Sequence, residues 1–62
     1  MFILFNATDG ILADPRKFKT EGAALVAKQQ IVGRIKMLQG YYKTSAGERI
    51  APEDVRFEVR RA

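Results

Sequence analysis

Four large apolar residues in succession, Phe2 to Phe5, open the chain, and a clean alternation, Val55 to Arg60, lies near its end. Side chains of a strand alternate between faces, so Phe2 and Leu4 point one way and Ile3 and Phe5 the other. Apolar groups on both faces predict a strand covered on two sides. In the later segment Val55, Phe57 and Val59 share one face, while Arg56, Glu58 and Arg60 share the other. That is the pattern of a strand with one solvated face. Between them, Asp9-Gly10 is a turn pair, because glycine accepts positive φ cheaply. Ile11-Leu12-Ala13 returns as a second strand, Asp14-Pro15 stops it, and Arg16 to Lys19 leads onward as a basic loop.

Thr20 is a fitting N-cap, since its hydroxyl can accept from an unpaired amide of the first helical turn. Glu21 places a negative charge at the positive end of the helix. The helix is expected from Glu21 to about Gln39, ended by Gly40, with Arg34 and Lys36 near its negative end. At 100° per residue, Ala24, Ala27, Ile31, Ile35 and Leu38 form one stripe, widened by Leu25 and Val32, that covers the sheet. Lys28 and Gln39 fall inside this arc and are expected to run their stems along apolar surface. A second line, Val26, Gln30, Gly33 and Met37, stands on the opposite side. Glycine inside a helix costs about 1 kcal/mol relative to alanine, and it often marks a close approach by another backbone. This line is the expected helix interface.

After the helix, Tyr41 to Thr44 and Glu48 to Ile50 read as a hairpin around Ser45-Ala46-Gly47. Ala51-Pro52-Glu53-Asp54 makes a corner before the last strand. The expected architecture is α+β: a single small two-layer domain over residues 1–62, ordered β-β-α-β-β. A three- to four-stranded antiparallel sheet carries one long helix, with the first strand central beside the last.

A chain of 62 residues buries only about 60% of the surface its unfolded form exposes, so its stability is marginal. Domains this small often add disulfides, a metal or a partner subunit. With no cysteine there is no disulfide, thiolate zinc site or cysteine nucleophile. With no histidine, the commonest general base and transition-metal ligand is missing too. What remains is a compact idealised core or association with another chain. No apolar run approaches the ~20 residues that span a bilayer, and MFILF lacks a basic flank for a secretion signal. A cytoplasmic protein with no membrane association is expected. The sequon Asn6-Ala7-Thr8 would matter only in a secreted chain.

Eleven Lys and Arg against seven Asp and Glu give a net charge of +4. That balance suits a polyanionic partner and equally suits simple solubility. The hydroxyls Thr8, Thr20, Thr44 and Ser45 all have turn, cap or strand-end positions, with no histidine to activate them. The carboxylates are scattered, no window spaces oxygen ligands as a calcium loop does, and the glycines form no phosphate-binding loop. The reading is therefore non-enzymatic, with no catalytic residue, cofactor, metal or small-molecule substrate. In size and charge the chain resembles the short basic α+β proteins of bacteria and their phages, a class likeness that carries no functional residue across.

Two functions remain. The first is a self-associating, non-catalytic interaction module, a homo-oligomer using Val26, Gln30, Gly33 and Met37, with Phe2 or Ile3 on an uncovered sheet face; any other protein partner is unspecified. The alternative is a small nucleic-acid-binding protein whose Tyr42 faces outward among Lys43, Arg49, Arg56 and Arg60, offering a ring for stacking and cations for phosphates. Glu48 and Glu58 interrupt that positive field.

Overall fold

In the computed structural model, which describes residues 1–62, the order is β1 (Phe2–Asn6), β2 (Ile11–Leu12), α1 (Glu21–Leu38), β3 (Tyr42–Lys43), β4 (Arg49–Ile50), a 3₁₀ turn (Pro52–Asp54) and β5 (Phe57–Arg61). The main sheet is antiparallel in the order β2-β1-β5, so the apolar first strand is central and lies beside the last. β1 bonds alternately to its two sides. Leu4 accepts from the Ala13 amide, and Phe2 exchanges two bonds of 2.7 Å with Phe18. The odd positions of β1 serve β5 instead.

The even face of β1 meets α1. Leu4 is fully buried against Phe18, Ala24 and Ala27, with Phe2, Ala13, Ile31, Phe57 and Val59 packed around them. Two alanines at the contact let the helix lie close to the sheet, where a larger residue would push it away. The helix starts where Thr20 takes extended backbone and its hydroxyl accepts from the Ala23 amide at 3.1 Å. It stops at Gly40, whose φ of +77° is the left-handed conformation that glycine adopts without strain.

Several expectations need correction. Leu38 lies at the core-facing azimuth yet is 78% exposed. An 18-residue helix is about 27 Å long, whereas a five-residue strand spans about 17 Å, so the last turns overhang the sheet. Leu25 also stays largely exposed. Phe18, read as part of a basic loop, is buried in the core and bridges to Phe2. Arg16 in that loop is bound to Asp14, its Nη2 donating to Oδ2 at 2.8 Å. The last strand begins at Phe57 rather than Val55, which is buried where the 3₁₀ turn ends.

Only one face of β1 carries the helix, and the other is partly shielded by Arg60 over the Phe5 ring. Ile3 and Phe5 point away from α1, joined there by Leu12, which pairs with Phe5 across the edge strand. Ile3 therefore lies on the face away from the helix, whereas Phe2 packs into the core. The hairpin β3-β4 forms its own two-stranded sheet.

Candidate interaction surfaces

Parity within the hairpin decides which tyrosine faces outward. Tyr42 pairs with Ile50 and Lys43 with Arg49, and paired residues share a face. The three-residue turn is closed by Gly47, at φ +86°, with the Thr44 amide donating to the Glu48 carbonyl at 2.8 Å. Tyr42 thus falls on the inner side. Its hydroxyl donates to the Asp9 carboxylate and accepts from Asn6 Nδ2 at 2.9 Å. The Ser45 amide and hydroxyl donate to the other Asp9 oxygen at 2.9 and 3.1 Å. Asn6 is buried, and its Oδ1 accepts from the Thr8 and Asp9 amides, so it shapes the turn after β1.

This cluster joins the hairpin to the end of the main sheet. The Ser45 amide first, then the Tyr42 hydroxyl, holds the Asp9 carboxyl below its ordinary range. Burial first, then the bond to Asp9, pushes the Tyr42 phenol above its ordinary value. The expectation that Tyr42 stacks outward among cations is corrected: its polar end is engaged in the fold. Tyr41 takes the outer place, with the Arg49 guanidinium 4.8 Å from its ring centre. The signal was available in the sequence, since Tyr41 and Lys43 are two residues apart and must share a strand face.

The remaining cations do not converge on this ring. Arg56 is exposed just before β5, its amide bound by the Thr8 hydroxyl at 2.7 Å. Arg60 lies on the main sheet, its guanidinium 3.8 Å from the Phe5 ring centre and paired with Glu58 at 2.7 Å. Tyr41, Lys43 and Arg49 form one outer hairpin face, while Arg60 covers part of the open sheet face.

The second line of α1 is open to solvent. Val26 is 54% and Met37 89% exposed, Gln30 is exposed, and a Cβ at Gly33 would meet nothing within 4 Å. No close approach within this chain calls for that glycine. On the neighbouring side of the helix, a groove of about 350 Å³ runs between Lys28, Val32, Gly33 and Lys36 and the segment Pro52, Glu53 and Val55. The Lys36 to Glu53 ion pair crosses it and keeps the Glu53 carboxyl below its ordinary range.

No protein family, curated protein or solved structure matches this chain. No helix is long and apolar enough to cross a membrane.

Proposed function

We propose that this chain is a non-catalytic interaction module that self-associates in the cytoplasm. The observation behind this reading is the size of the core. Only eight of 62 residues are buried, and Leu4 is the one large side chain buried completely. Meanwhile Ile11, Leu12, Leu25, Val26, Met37 and Leu38 stay near half exposed or more. The accessible surface of 4386 Å² exceeds the roughly 4,000 Å² that size scaling gives a compact monomer of this mass. Burying apolar surface yields about 25 cal/mol per Å², so a second copy can supply what one core cannot.

Sedimentation equilibrium over a wide concentration range, at low and at moderate salt, tests this directly. A dimer that persists at moderate salt is the expected result. A clean monomer at high micromolar concentration overturns the reading.

A second reading, sequence-tolerant binding of single-stranded nucleic acid, draws on one feature: Tyr41 lies beside Arg49 and on the face of Lys43. A half-buried ring with a guanidinium over it and a lysine on the same face offers a stacking edge with phosphate contacts at hand. Its test is a titration with a labelled single strand across salt concentrations, where affinity must fall steeply as salt rises.

A further inference from the structure

β5 is the last strand of its sheet, and its outer edge carries no neighbour. The ladder to β1 uses alternate residues of β5. The Ala7 amide donates to the Arg56 carbonyl and the Ala62 amide to the Met1 carbonyl, and hydrogen-bonded pairs recur every second residue. Glu58 and Arg60 therefore also face β1, opposite Phe5 and Ile3. Phe57, Val59 and Arg61 turn their N–H and C=O groups outward, and no backbone bond outside the β1 ladder reaches residues 57–61.

A bare five-residue edge is a template for another strand, and charged side chains decide which strand it accepts. Here the charges are self-complementary. Glu58 and Arg60 flank Val59 on the sheet face turned away from α1, so Glu-Val-Arg read against itself in the opposite direction sets acid against base at both places. We propose that β5 pairs antiparallel with β5 of a second copy about a two-fold axis at Val59, joining the two sheets into one. This rests on the self-association reading and names its surface.

The backbone and the side chains select the same register. Pairing Val59 with its counterpart, and Phe57 with Arg61 of the other copy, matches the residues whose backbone groups point outward. About six hydrogen bonds form. Glu58 then faces Arg60 of the other copy at the non-hydrogen-bonded positions, where side chains approach most closely. A two-residue slip in either direction sets Glu58 against Glu58 or Arg60 against Arg60. A one-residue slip turns the apolar set to the wrong face.

Glu58→Arg and Arg60→Glu, each alone and then mixed in equal amounts, test the register by sedimentation equilibrium. Each variant alone sets like charges opposite one another twice per dimer, and its self-association should weaken by about tenfold. In the mixed dimer every pair across the edge is again acid to base, so association should return to within about threefold of the wild type. The Glu58–Arg60 pair within each chain stays broken in the mixture, so recovery reports only the contact between chains. A mixture that stays as weak as its components, beside a wild type that dimerises, overturns the edge pairing and leaves self-association standing. A monomeric wild type overturns both. Amide exchange of the wild type gives a check independent of any variant. Protection of Phe57, Val59 and Arg61 should rise with protein concentration, and exchange at the rate of free amides in a dimer overturns the proposal.

Discussion

The Tyr42 hydroxyl donates to the Asp9 carboxylate across a separation of 33 residues, tying the hairpin to the turn that follows β1. The two segments belong to different sheets. The hairpin's position thus rests heavily on Asp9 and the three donors it receives from Tyr42 and Ser45.

That tie should be sensitive to acid. A carboxyl whose folded pKa lies below its unfolded value contributes stability that is complete above the unfolded value and fades as pH falls through the folded one. For Asp9 the ordinary value is 3.8 and the folded one is lower, so the hairpin should loosen below about pH 4. The protection of the Ser45 amide, measured against the free-amide exchange rate at each pH, should fall in that range. Asp9→Asn should remove the pH response and give fast exchange throughout. At the alkaline end Tyr42, raised above 10.0, favours the fold while protonated, so the tie weakens as pH rises past the unfolded value.

Gly33 separates helix propensity from contact. A Cβ there meets nothing, so Gly33→Ala should stabilise the chain by up to about 1 kcal/mol in thermal unfolding. Gly33→Leu adds bulk beyond that Cβ, beside the groove that Gly33 lines. If the helix line is the self-association surface, Gly33→Leu should abolish the dimer with helical content unchanged by circular dichroism. If β5 is the surface, the dimer should survive.

Leu4 and Leu38 should differ sharply despite sharing a residue type. Leu4 is 0% and Leu38 78% exposed. Leu4→Ala removes the centre of the core at a cost of about 2–5 kcal/mol, comparable with the whole stability expected of so small a core. It should leave a largely unfolded chain at 25 °C in denaturant or thermal melts. Leu38→Ala should change stability by no more than about 0.5 kcal/mol.

The two tyrosines should separate the nucleic-acid reading from a general attraction of charge. If the hairpin face stacks bases, Tyr41→Ala should cost about 1–3 kcal/mol in single-strand affinity by fluorescence titration. Tyr42→Phe should cost little in affinity and should instead speed Ser45 exchange. Equal losses from removing any single lysine, with Tyr41→Ala silent, would reduce the binding to net charge.

Local signals fixed much of what the sequence determined here. Thr20 and Gly40 act through their own backbone conformation and nearest neighbours, so both ends of the helix were readable. The same holds for the Gly47 turn and for the alternation that makes β5, because periodicity reports a face without reference to the rest of the chain. The tertiary structure decided matters of length and placement. Leu38 has the right azimuth but no sheet beneath it, since helix and strand advance by different rises per residue. Phe18 joined the core because β1 offered a free backbone partner at Phe2. The inward side of Tyr42 follows from strand parity, but its partner Asp9 on a distant turn is a pairing that no periodicity encodes. The bare edge of β5 likewise exists only once the strand order is set, whereas its Glu-Val-Arg complementarity was written in the chain throughout.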